Sequence, residues 1–166
     1  MTAASRLSSL AVVTLHLSGA LVLAGCAPWA SQMNSMHDDE VLKALDHGAD
    51  PNAREGNAFT ALQAAIVFGR DKVALALIAH GANIGPSTDP DQATPLHHAA
   101  AYCRLVVVTA LVAKGADLKA ETMYRATPID SAIHDSRQNP AECVAVVKAL
   151  ADAGAAFGPR QLWEDG

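Results

Sequence analysis

Seven histidines and three cysteines are the side chains of this 166-residue chain best suited to metal, acid–base or thiol chemistry. Their spacing argues against most of it. A zinc site needs ligands brought together by His-x-x-x-His or Cys-x-x-Cys spacing, and neither pattern occurs. His47 and His80 stand just before Gly48 and Gly81, places that read as helix C-termini, where partial positive charge is favourable. The acidic run Asp38-Asp39-Glu40 reads in the same way as helix-start charge rather than a catalytic carboxylate pair. No Gly-x-Ser-x-Gly elbow, Walker-type phosphate loop or dinucleotide fingerprint is present. The expectation is therefore a non-enzyme with no catalytic residue, no cofactor and no metal.

The histidine pair His97-His98 belongs to a phrase that recurs. Thr60-Ala61-Leu62-Gln63-Ala64-Ala65, Thr94-Pro95-Leu96-His97-His98-Ala99-Ala100 and Thr127-Pro128-Ile129-Asp130-Ser131-Ala132 each open an apolar helical stretch. Those stretches end in Gly81-Ala82, Gly115-Ala116 and Gly154-Ala155, and an earlier ending, Gly48-Ala49-Asp50-Pro51-Asn52-Ala53, lacks the opening phrase. Each threonine suits an N-cap, and Pro95 and Pro128 suit the first helical position, where a missing N–H is harmless. Leu62, Leu96 and Ile129 should point inward. Val73, Leu75, Leu77 and Ile78, like Val107, Val108, Leu111 and Val112, supply the apolar face of a second helix that glycine then stops.

A period of about 33 residues with this wording resembles the ankyrin repeat. The resemblance runs over about residues 37–157. It implies an all-α solenoid of helix-turn-helix units with extended hairpin fingers, about three full repeats plus an N-terminal half-repeat. It also gives His97 a structural role, its imidazole bonded to the neighbouring threonine and to finger backbone. The fingers lack the alternating β-branched residues of a strand and are expected to be mostly irregular or turn-like. Half of the residues are apolar and only 4% aromatic, with alanine, leucine and valine abundant, which suits closely packed helix pairs.

Departures from the repeat pattern are informative. Residues 29–47 should form a capping or degenerate first repeat. The second finger carries one extra residue within Gly85-Pro86-Ser87-Thr88-Asp89-Pro90-Asp91-Gln92 and reads as a stiff acidic loop. In the last repeat the surplus falls in Asp135-Ser136-Arg137-Gln138-Asn139-Pro140, a loop or an added helical turn. Residues 158–166, with Leu162 and Trp163, read as a C-terminal cap. In the ankyrin register Cys103 takes the glycine place between two helices and Cys143 begins the second helix of the next repeat. Both lie near one edge of adjacent repeats, so the pair is either a disulfide or two small half-buried thiols.

The N-terminus reads as an export signal, with Arg6 ahead of an apolar stretch at residues 10–23. Thr14, His16 and Ser18 interrupt that stretch and make it a poor permanent span. Its end, Leu23-Ala24-Gly25-Cys26, is similar to a bacterial lipobox. That resemblance implies cleavage after residues 1–25, lipidation of Cys26 and a tether over residues 26–36. Ala27 follows the cysteine in place of the aspartate that signals inner-membrane retention, so a periplasm-facing outer-membrane site is expected, with the inner membrane as the alternative. Contact with the membrane would be through the lipid anchor alone. The two remaining cysteines are an even number for an oxidising compartment.

The net charge of −5, with no Lys/Arg cluster, argues against nucleic acid. In the ankyrin family the variable positions lie on finger tips and on the outward side of the first helix. Here they are Asn57, Phe59, Val67 and Phe68; Asp89, Asp91, Ala101 and Tyr102; Met123, Tyr124, His134 and Asp135. Phe59, Phe68, Tyr102 and Tyr124 are most of the chain's few aromatics, a type favoured at binding hot spots, and Asp89, Asp91 and Asp135 would form an acidic rim suited to a basic partner. The expected function is a monomeric protein-binding lipoprotein. Its partner would be a toxin or an envelope enzyme, with an immunity role against a secreted antibacterial toxin as one reading. The alternative is an envelope stress or structural adaptor of the oxidant-protection kind.

Overall fold

The computed structural model describes residues 36–55, 59–86, 91–134 and 140–158. Among these residues it contains seven helices: α1 (Asp38–Asp46), α2 (Ala61–Val67), α3 (Asp71–Ala79), α4 (Pro95–Ala101), α5 (Leu105–Ala113), α6 (Pro128–His134) and α7 (Pro140–Asp152). Two short strands, β1 (Arg54–Glu55) and β2 (Phe59–Thr60), pair antiparallel between α1 and α2. The helices form two layers. First helices α2, α4 and α6 stack in one row, and second helices α1, α3, α5 and α7 stack in the other. Among the described residues the expected N-terminal half-repeat is represented by a second helix, α1. Against the expectation of mostly irregular fingers, the β1–β2 pair is a short regular stretch within the first: Phe59 and Thr60 are an aromatic and a β-branched residue, which suit a pleated edge.

The sequence explains where each element begins and ends. Thr60 and Thr94 sit in extended conformation, and their hydroxyls accept from the backbone N–H groups of Gln63 and His97. Each satisfies one of the orphan donors at a helix start. Second helices end at a glycine in the left-handed region, as at Gly81 (φ +86) and Gly115 (φ +83), which a side chain at Cβ would disfavour. α1 starts with Asp38, Asp39 and Glu40 in its first turn, and the Glu40 carboxylate reaches back to accept from the His37 N–H.

One continuous core runs between the layers. Leu62, Leu77, Leu96, Leu111, Ile129 and Leu150 are fully buried, with Ala64, Ala65, Ala99, Ala100 and Ala132 letting neighbouring helices approach closely. Leu75 is only half-buried, because it aligns with exposed Thr109 of the next repeat rather than with Val108. The surplus of the last repeat is partly helical: α7 has 13 residues against 9 in α3 and α5, and begins at Pro140. Buried Val146 and Leu150 match Val107 and Leu111, so the added turn lies at the N-terminal end of α7.

Candidate partner-binding surface

Each first helix is fastened by the third residue after its threonine, and the chain uses three chemistries there. In the first unit the Gln63 Oε1 accepts from the Thr60 N–H and hydroxyl at 2.9 and 3.1 Å. In the second, His97 Nδ1 lies 3.1 Å from the Thr94 nitrogen, and Nε2 lies 3.0 Å from the Ala126 carbonyl of the following finger. A backbone N–H can only donate, so Nδ1 must accept and Nε2 must carry the proton. That neutral tautomer agrees with a pKa lowered by burial and by neighbouring His98, against the opposing pull of the Ala126 carbonyl. In the third, Asp130 Oδ2 accepts from the Thr127 N–H, the Thr127 hydroxyl and the Gly158 N–H, at 2.9, 2.7 and 2.9 Å. Burial alone would raise the Asp130 pKa, but these hydrogen bonds together pull it below the ordinary carboxylate value.

A second set of fasteners runs along the edge where first and second helices meet. Arg70 donates from Nε to Asp38 Oδ1 at 2.8 Å and from Nη2 to the Met36 carbonyl at 2.9 Å. Arg104 repeats the arrangement one unit on, with Asp71 Oδ1 at 2.8 Å and the Gly69 carbonyl at 3.0 Å. The Arg104 guanidinium packs against Gly69, whose φ of +70 lies in the left-handed region that glycine adopts freely. In the following unit Cys143, three residues before buried Val146, takes the register of these arginines and is disulfide-bonded to Cys103, with Cα atoms 4.8 Å apart. Cys103 sits in the left-handed region (φ +54), as Gly69 does (φ +70), in keeping with its glycine register.

These fasteners hold the ends of the first helices in fixed positions. Phe68 and Tyr102 are the C-cap residues of α2 and α4, at equivalent places on two helices that pack side by side. They are 52% and 49% exposed, far above what aromatic residues need to show in a closed core. Val67 and Ala101, one position earlier, are half-buried and flank the same ridge. The finger ahead of α6 turns tightly: the Arg125 N–H donates to the Thr122 carbonyl, and Arg125 adopts φ +60. At its tip Met123 and Tyr124 are exposed, Tyr124 at 69%. The Met123 N–H donates to the Asp91 carbonyl at 2.9 Å, tying this finger to its predecessor.

Of the other expected positions, Asp91 and His134 are exposed. Phe59 is only half-buried by the core and meets His98 edge-on, with ring centroids 6.0 Å apart. It therefore fills space beside α4 more than it projects outward. Asn57, Asp89, Asp135, Cys26 and residues 159–166 lie outside the described residues. Among the described residues no helix is long and apolar enough to cross a membrane, and no cluster of three ligating side chains forms.

Reading by phrase missed the arginine rungs, although Arg70-Asp71 and Arg104 fall one repeat apart. It also missed the exposed apolar group Leu105, Val106 and Val144 on the second-helix side. The signal was available in register, since the equivalent residues one unit earlier, Asp71 and Lys72, are charged.

Stacked helix pairs with projecting fingers and an exposed aromatic row define a repeat scaffold for protein–protein interaction. The profile described as Ankyrin repeats (3 copies) matches residues 29–122, and the chain belongs to this family. The unit containing α6 and α7 lies beyond the matched residues and keeps the same two-layer stacking. No curated protein matches the chain significantly.

Proposed function

We propose that this protein is a lipid-anchored, periplasm-facing ankyrin-repeat protein that holds one protein partner against the Phe68–Tyr102 ridge and the Met123–Tyr124 finger tip. The observation that carries the reading is the placement of scarce aromatics: Phe68, Tyr102 and Tyr124 are among the most exposed large apolar residues of a chain that is 4% aromatic. Aromatic anchors of this kind dominate interface energetics, typically at 2 kcal/mol or more when truncated. Exposed Asp91, whose carbonyl meets the Met123 N–H at the finger, with Asp89 and Asp135 of the sequence, favours a partner with a basic patch, because charge complementarity speeds encounter and excludes like-charged competitors. An antibacterial toxin delivered into the envelope is the partner class that fits a tethered inhibitor, which must wait where the toxin arrives. The lipobox-like sequence supports the tether: several acyl chains on Cys26 anchor stably where one binds only marginally.

Two experiments test this. Metabolic labelling with a fatty-acid analogue should mark the wild-type chain and leave Cys26→Ala unlabelled; equal labelling of both would refute the anchor. Cells lacking the gene should become more sensitive to sibling cells that deliver antibacterial toxins into the envelope. Unchanged sensitivity would remove the immunity reading and leave an envelope stress or structural adaptor as the function to pursue.

A further inference from the structure

We propose that the Cys103–Cys143 disulfide is a reversible latch on the last repeat, opened by thiol exchange with a dithiol that enters the cleft beside it. The inference is independent of the partner surface.

The register of the rungs is the first argument. Arg70 and Arg104 each tie a unit to its predecessor through an aspartate at the start of the preceding second helix and a carbonyl two residues before it. At the next interface the aspartate position is Leu105, the arginine position is Cys143, and the place of the carbonyl-bearing residue Gly69 is taken by Cys103. The covalent bond therefore stands where two ionic rungs stand earlier. Here one reaction can undo the fastening.

The unit it holds is the last of the described stack. Ile133 is 49% exposed, whereas its equivalents Ile66 and Ala100 are fully buried under the next first helix. Val144 and Phe157 are also more than half exposed. Terminal repeats with few neighbours occupy the low end of local stability.

The third argument is a cleft beside the bridge, since Cys103 and Cys143 are themselves buried. A cleft of about 470 Å³ is lined by Cys103 together with Asp71, Arg104, Leu105, Val106 and Glu142. Exposed Leu105 and Val106 give it an apolar border, a surface against which a protein dithiol can rest. In the exchange a thiolate of the entering dithiol attacks Cys103 Sγ, and the Cys103–Cys143 bond breaks. Cys143 leaves as a thiolate and takes a proton. The second thiol of the dithiol, deprotonated, then attacks its own sulfur in the mixed disulfide and releases Cys103 as a thiolate, which is protonated in turn. The bridge is reduced by two electrons and the dithiol is oxidised to its disulfide.

Hydrogen exchange of the full chain, read by mass spectrometry with and without millimolar dithiothreitol, tests the latch. Thiol labelling of peptides containing Cys103 and Cys143 follows reduction in the same samples. Reduction under native conditions should speed exchange in α7 and α6 by about tenfold or more, with α2 and α3 unchanged. Unchanged α7 exchange after complete reduction would overturn the proposal. So would a bridge that dithiothreitol reduces in urea but not in the native protein, or two free thiols in the oxidised sample. A second protein, C103G/L105D/C143R, rebuilds the ionic rung at this interface, and its α7 protection should not respond to reductant. A response in that protein would remove the bridge as the cause.

Discussion

His97 offers the sharpest test of how the stack is fastened, because the same chain shows what a replacement would do. Its ring accepts from Thr94 and donates to Ala126 across the repeat boundary while being almost fully buried. Replacing it with alanine strands the Thr94 N–H and leaves a void, while the Ala126 carbonyl keeps its bond from the Thr122 N–H. The stranded N–H costs about 1–3 kcal/mol and the void adds to it, so a loss of about 2–4 kcal/mol is expected. Glutamine can restore the acceptor toward Thr94, as Gln63 does toward Thr60 at 2.9 Å. His97→Gln should therefore lose no more than about 1 kcal/mol.

The pH dependence separates the two roles of the ring. The folded pKa lies below the ordinary value of about 6.5, so the unfolded chain binds the proton more readily than the folded one. Stability from neutral His97 is thus fully present above about pH 6.5 and is lost as pH falls toward the folded pKa. Within that window the slope reaches at most about 1.4 kcal/mol per pH unit. Urea titrations of wild type, His97→Ala and His97→Gln between pH 5 and 8 read both effects. Equal destabilisation of the two variants, or a wild-type slope that survives in His97→Gln, would refute the neutral-imidazole network.

Other outcomes follow from the same geometry. Arg104→Ala removes an ion pair to Asp71 and the bond to the Gly69 carbonyl at partly exposed positions, and should cost about 1 kcal/mol in urea unfolding; no change would show the rung to be idle. Gly158→Ala would set a Cβ 2.6 Å from the Arg125 carbonyl and 2.9 Å from Asp130 Oδ2, so the last unit should lose about 1–3 kcal/mol in a thermal melt followed at α6. Ending the chain after Gly154 also removes the Gly158 bond to Asp130, so the third unit should melt first; an unchanged melt would make this segment dispensable. Asp130 has a lowered pKa, so its contribution is present above the ordinary carboxylate range and lost as pH falls through the folded value; Asp130→Asn should flatten that acid limb of the stability curve.

The fold was legible because its signals are local. A threonine cap, a proline at the first helical position and a glycine stop act within a few residues of one another, and their recurrence fixed the units before any contact was known. The place of Cys103 between two helices was legible for the same reason, since Gly69 marks that position one unit earlier. What escaped depends on pairs about 30 residues apart. Arg104 meets Asp71 only because second helices stack, and no local pattern announces that the arginine reaches backward. The insertion near Cys143 hid its register, since the four added helical residues displace it from the helix start. Phe59 shows the remaining gap: a finger position alone cannot tell a projecting aromatic from one that leans on His98.

The central claim is that the Phe68–Tyr102 ridge holds a protein partner. Its most direct test is capture from envelope and secreted fractions with the chain from Ala27 to Gly166, which retains every described residue, followed by mass spectrometry and titration of the captured protein. The account predicts one stoichiometric partner whose affinity falls by about 30-fold or more in the Phe68→Ala/Tyr102→Ala variant, with the thermal melt unchanged. A partner bound equally by that variant, or the absence of any stoichiometric partner, would contradict it.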